Sequence, residues 1–255
     1  MTRNEILTIR SLQNRPERRR MNRFIVEGVK GLIELSESSM EVLRIYSLDS
    51  MLEHVPVSLS SHIEVITTKA MARISNLKTP PGLMAIVSIP SCDTKTIIES
   101  SKVGDTQAPL PFVLVAAGIA DPGNLGTLIR TADWFGMRGV LLTPGSTDAW
   151  SPKCVQATMG SIFRIPVAEI QPEDEALLQA QQHYALEMSG TRYTDIEWKS
   201  GLLWVGSESH GVSTDVSALH YETVHIPRQG GAESLNAGIA GAIVCSEIAR
   251  VWTVK

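Results

Sequence analysis

The sequence predicts an α/β protein of two domains: a small N-terminal α/β domain, and a C-terminal domain built on a mainly parallel sheet with helices on both faces. Three observations carry this expectation. The chain has 255 residues, above the usual single-domain size, and its 43% hydrophobic content suffices for a core in each of two domains. Strand-like apolar runs recur through the second half at PFVLVAAG, GVLLT, YALEM, GLLWVG and TVHIP, with helix-like segments between most of them. Residues 90–111 end in a Gly, Asp, Gln and Pro-rich stretch without periodicity, as a linker does. The boundary is therefore placed near residue 105, giving domains 1–105 and 106–255.

In the N-terminal domain, FIVEGVKGLIELSES has helix-spaced apolar positions. Short β-rich pieces follow, VLRIYSL and IEVITT and then GLMAIVSIP. No internal repeat or low-complexity tract interrupts the chain.

Composition excludes more than it identifies. No stretch approaches the roughly 20 apolar residues that cross a bilayer, and MTRNEILTIR lacks a signal-peptide core. Cys92, Cys154 and Cys245 are far apart and without CxxC spacing, so neither a disulfide framework nor a metal site is expected; reduced thiols in a cytoplasmic compartment are. The net charge of -4 opposes nucleic acid as a partner, but it hides an asymmetry. Residues 1–30 carry eight Arg or Lys and three Glu, net +5, which leaves -9 for the remainder. Arg15, Arg18, Arg19, Arg20 and Arg23 make up most of that charge, as a solvated helix face or as a patch that tracks phosphates.

Three constellations in the second half could carry chemistry. In Val113 to Ala132, an apolar strand runs into a Pro and Gly-rich turn and then a helix, whose N-terminus favours anions or polar oxygens. Gly118, Gly123 and Gly126 do not have dinucleotide G-x-G-x-x-G spacing, and the latter two also suit a close-packed turn. Arg130 lies in an otherwise apolar helix, so it is expected to be partly buried and to need an anionic partner.

In Leu202 to Val212, a second strand ends in a glycine turn presenting Glu208 and His210 at the carboxyl end of the sheet, where open α/β sheets bind ligands. Glu208 is the stronger candidate, and a lone loop His suits a surface role equally well. In Val224 to Val244, a strand leads through Gly230-Gly231 to a helix expected to start near Ser234. Ser234 and Asn236 suit either helix capping or a polar site. Gly238 and Gly241, costly inside a helix, imply close approach of another backbone, within the domain or across a dimer interface.

The ordered set Asn124 to Ala132, Gly206 to Gly211 and Ile226 to Asn236 resembles the SpoU (TrmH) family of SPOUT methyltransferases, with motifs N-x-G-x-x-x-R-T-A, G-x-E-x-x-G and I-P-x-x-G-x-x-E-S-L-N. Phe24 to Gly28 is similar to the start of the L30e-like RNA-binding domain that many members carry. The resemblance implies S-adenosylmethionine-dependent methylation of a ribose 2'-hydroxyl in RNA. It implies also a C-terminal trefoil knot, exceptional among folds, and a homodimer sharing its active sites. Gly206, Ile226 and Leu235 would contact S-adenosylmethionine, chiefly through backbone groups, and Asn124, Arg130, Glu208, Ser234 and Asn236 would form the polar active site.

A guanidinium holds its proton too tightly to act as a base, so Arg130 is expected to clamp phosphate and developing alkoxide, with Glu208 orienting it. Ser207 and Arg228 depart from the family pattern; Arg228 is either an RNA contact or a solvated loop residue. The architecture is closer to ribosomal-RNA than to transfer-RNA members. Base methylation within the same fold, and an RNA-binding assembly factor without catalysis, are the competing readings; the intact Arg130 and Glu208 weigh against the latter.

Overall fold

The computed structural model describes residues 1–100, 110–207, 211–212 and 219–253. Two compact units emerge, Met1–Ser91 with Asp148–Arg164, and Cys92–Thr147 with Ile165–Lys255. The expected boundary at residue 105 lies outside the described residues.

The first unit begins with α1 (Arg3–Ser11), α2 (Arg15–Met21), β1 (Arg23–Glu27) and α3 (Val29–Ser36). It continues with β2 (Val42–Ser47), β3 (Ile63–Val65), α4 (Thr68–Ile74) and β4 (Leu83–Ser88), the strands forming one sheet in the order β1-β4-β2-β3. Thr2 and Glu5 close a reciprocal cap on α1, whose Ile6 and Ile9 are buried with Met71, Ile74 and Met84. The helical reading of FIVEG is corrected here. Phe24, Ile25 and Val26 are buried in a strand antiparallel to β4, and Gly28, at φ 95°, breaks the chain before α3 starts. A run buried on both faces suits a strand that is covered on each side, whatever helical spacing it also satisfies.

The second unit opens with α5 (Thr94–Ser100), which buries Ile97 and Ile98. Then come β5 (Phe112–Ala117), α6 (Pro122–Trp134) and β6 (Val140–Leu142). Helix α7 (Pro152–Thr158) belongs to the first unit. After it come β7 (Val167–Glu169), α8 (Glu175–Gln179), β8 (His183–Arg192), β9 (Gly201–Gly206), β10 (Glu222–His225) and α9 (Ala237–Thr253). The strands form one sheet, ordered β10-β8-β9-β5-β6-β7, with every pairing parallel.

All five anticipated strand runs are present; β7, only three residues long, was not anticipated. The sheet is covered on both faces, as near-continuous apolar strands require. Val113, Val115, Leu202 and Trp204 pack with α5 and α8, while Gly241 of α9 sits against Val205 and against Leu128 of α6. Side chains alternate along a strand, so these are opposite faces.

Candidate active site

The site grows from the carboxyl ends of β5, β9 and β10. After β5 the chain turns at Gly118, and Asp121 caps α6 by accepting from the Asn124 N–H at 2.9 Å, with Pro122 in the first turn. Helix α6 buries Leu125, Gly126, Leu128, Ile129 and Ala132. The helical period puts Thr127, Arg130 and Trp134 on the remaining stripe, where all three are exposed, Trp134 at 80%. The expected partial burial of Arg130 is therefore overturned. Its guanidinium has no ion-pair or hydrogen-bond partner among the described residues and is presented to solvent.

At the end of β9, Gly206 meets a tight turn in which the Gly211 N–H donates to the Ser207 carbonyl at 3.0 Å. A Cβ on Gly206 would fall 2.0 Å from the Gly211 carbonyl, so only glycine fits this turn. Glu208 and His210 lie outside the described residues.

After β10 the segment Ile226 to Leu235 runs to α9. The helix starts at Ala237, three residues later than expected, because Asn236 is its cap: Asn236 Oδ1 accepts from the N–H groups of Gly238 at 3.0 Å and Ile239 at 3.3 Å. Ser234 precedes the helix and is exposed. Asn236 has a second role. Its Nδ2 donates to Asn124 Oδ1 at 2.8 Å, which joins the first and third motifs. The helix glycines face side chains rather than another backbone: a Cβ on Gly238 would come 2.8 Å from Thr127 Cγ2, and one on Gly241 2.6 Å from Leu128 Cδ2.

These loops enclose a cavity of about 860 Å³ lined by Gly206, Ile226, Ser234 and Leu235, with Glu187 and Arg228 among its charged residues. Arg228 Nη1 donates to the Ala232 carbonyl at 3.2 Å, which ties the guanidinium to its own loop. Glu187 is not among the site residues expected from the sequence. Its only signal was a carboxylate near the carboxyl side of the YALEM strand. Among the described residues, no group of three or more His, Cys, Asp or Glu is placed to hold a metal ion, and no helix is long and apolar enough to cross a membrane.

In the first unit, the arginine cluster is divided. Arg18 is buried, with Nε and Nη2 donating to Asp148 Oδ2 at 2.8 and 2.5 Å and Nη1 donating to the Leu12 carbonyl at 2.7 Å. It is a structural residue, and the expectation that it tracks phosphate is withdrawn. Arg19, Arg20 and Arg23 are exposed, Arg20 alongside Glu17.

Parallel sheet, glycine turns and a cavity at the strand ends define an open α/β domain that takes its ligand at the carboxyl ends of its strands. The chain belongs to the SpoU rRNA methylase family, whose model matches residues 111–246, and residues 3–85 match the MRM3-like substrate binding domain. It is 30% identical over 242 residues to the 23S rRNA (guanosine(2553)-2'-O)-methyltransferase RlmP of Bacillus subtilis, with 92% of each chain covered. Among solved structures, a TrmH-family protein from Porphyromonas gingivalis superposes with a TM-score of 0.83 at 32% identity, covering 98% of this chain and 99% of that one. An AdoMet-bound rRNA methyltransferase from Sinorhizobium meliloti gives 0.83 at 28% identity, covering 98% and 96%.

Proposed function

We propose that this chain transfers a methyl group from S-adenosylmethionine to a ribose 2'-hydroxyl in ribosomal RNA. The carrying observation is the cavity at the strand ends, closed by the same motif residues that mark the family. Its volume of about 860 Å³ is in the range of small-molecule sites, and the apolar Ile226 and Leu235 offer a surface for a nucleoside base. When bound, the cofactor supplies an electrophilic sulfonium methyl.

The chain's residues do the rest. Gly206, Ile226 and Leu235 hold the cofactor, mainly through backbone groups. Asn236 orients Asn124 at the mouth of α6, and the Ser234 hydroxyl adds a donor and an acceptor at the cavity wall. Arg130, exposed on α6, clamps the RNA phosphate and the developing alkoxide, with the proton leaving through phosphate or water. Glu208 orients Arg130 in this reading. Alignment of the hydroxyl with the methyl is where positioning by these residues contributes.

The family resemblance supports a homodimer and a knotted α9. An 80% exposed Trp134 and a 53% exposed Ile239, on α6 and α9, are surfaces that a second copy would cover. The N-terminal unit supplies RNA affinity through its exposed arginines, and three free cysteines suit a cytoplasmic setting. The test is incubation with labelled cofactor and total RNA, then nuclease digestion and mass spectrometry. A 2'-O-methyl nucleoside in ribosomal RNA is expected. A base-methylated nucleoside, a product confined to transfer RNA, or no product would overturn the reading.

A further inference from the structure

Glu187 sits where the cofactor cavity meets the sheet. The parallel register of β8 with β9 pairs Ala185 with Trp204, and two residues further along their strands Glu187 and Gly206 both line the cavity. The carboxylate lies against the Gly211 turn: its oxygens are 3.2 and 3.4 Å from where a Cβ on Gly211 would stand. Its one hydrogen bond among the described residues is a long one, from the Val212 N–H at 3.5 Å. A carboxylate only accepts, and it can take about four hydrogen bonds. Among the described residues, this half-buried group therefore lines a ligand cavity with most of its hydrogen-bond capacity unmet.

We propose that Glu187 binds the vicinal ribose hydroxyls of the cofactor's own nucleoside. The assignment rests on the cofactor reading above. Strand order decides the direction of the ligand. Asn124 and Arg130 belong to the helix after β5, so the reacting methyl belongs on the β5 side, and the nucleoside points toward β8 and β10. At that end the donors are two adjacent hydroxyls and the 6-amino group. Two neighbouring hydroxyls match the two oxygens of one carboxylate, a pairing that nucleotide-binding α/β folds use elsewhere. Glu187 thus recognises a part of the cofactor that does not react. It is a binding residue, outside the methyl-transfer chemistry.

The experiment is calorimetric titration of the full chain with S-adenosylhomocysteine, 5'-methylthioadenosine and S-inosylhomocysteine, for wild type, Glu187→Gln and Glu187→Ala. Thermal melts confirm that each variant is folded, and Glu187→Ala covers the case in which the glutamine amide keeps one bond. All three ligands carry the same ribose, so both substitutions should weaken all three equally, by about tenfold or more. Unchanged affinities would overturn the assignment. A loss for S-adenosylhomocysteine alone would place Glu187 at the amino-acid end, and a loss that vanishes with S-inosylhomocysteine would place it on the adenine amine; either sinks the ribose assignment. A wild-type chain that bound none of them would bring down the cofactor reading itself, whatever the variants did.

Discussion

Asn236 donates to Asn124 across 112 residues of sequence, and the same side chain caps the last helix through its other amide atom. The two functions separate by substitution. Asn236→Asp keeps an oxygen for the Gly238 N–H but loses the donor to Asn124, whereas Asn236→Ala loses both. Chemical denaturation should show Asn236→Ala less stable by about 1 kcal/mol and Asn236→Asp close to wild type. Both should lower methyl transfer at least about tenfold, since each lets Asn124 turn away.

Arg130 is already exposed, so its removal should be structurally silent. Arg130→Ala is expected to keep its melting temperature and its affinity for S-adenosylhomocysteine while methyl transfer falls about 100- to 1000-fold, the scale for one group that stabilises transition-state charge. Full retained activity would remove Arg130 from the mechanism.

Gly206→Ala introduces an atom 2.0 Å from the Gly211 backbone, which no rotamer can relieve. The turn must shift, at a cost of about 1–3 kcal/mol. Calorimetry should show a loss of cofactor affinity accompanying the loss of stability. An unchanged dissociation constant would mean that this turn does not shape the cofactor site.

The N-terminal arginines should divide into two classes. Arg18→Ala leaves Asp148 buried without its partner and should destabilise the chain by about 3–5 kcal/mol. The triple change Arg19→Ala, Arg20→Ala and Arg23→Ala should leave the melting temperature nearly unaltered. Its RNA binding should weaken and the salt dependence should flatten, by about two units of slope if most of these groups meet phosphates. Salt titrations of RNA binding check both halves.

His183 makes stability depend on pH. Its Nδ1 accepts from Trp204 Nε1–H at 2.9 Å, so Nε2 carries the proton and donates to the Leu178 carbonyl at 2.9 Å. Burial is the larger influence and holds the ring's pKa below the usual 6.5. The folded state therefore stays neutral while the unfolded chain takes up a proton below pH 6.5, and stability falls with pH from there until the folded pKa is passed. Melting temperatures between pH 7.5 and 5.5 should drop less for His183→Gln, which cannot titrate, than for wild type.

Much of the fold was readable because a parallel sheet covered on both faces writes its strands as apolar runs, and β5 and β9 are such runs. Three-residue β7 left no run to see. In β1, FIVE carries helical spacing and strand composition together, and pairing with β4 decided between them. The start of α9 was placed early because Ser234 and Asn236 are both good caps; only the N–H groups that Asn236 satisfies show which one serves.

The sequence by itself determined the apolar strand runs of the second domain and their order along the chain, because these depend on residue type and local spacing, and its three motifs carried the resemblance to the family. Tertiary structure decided burial. From residue pattern alone Arg130 is expected partly inside and Arg18 open to solvent or phosphate, and the structure reverses both. A charge can be buried only where a partner waits, and the partner of Arg18 is Asp148, 130 residues away, brought to it by folding.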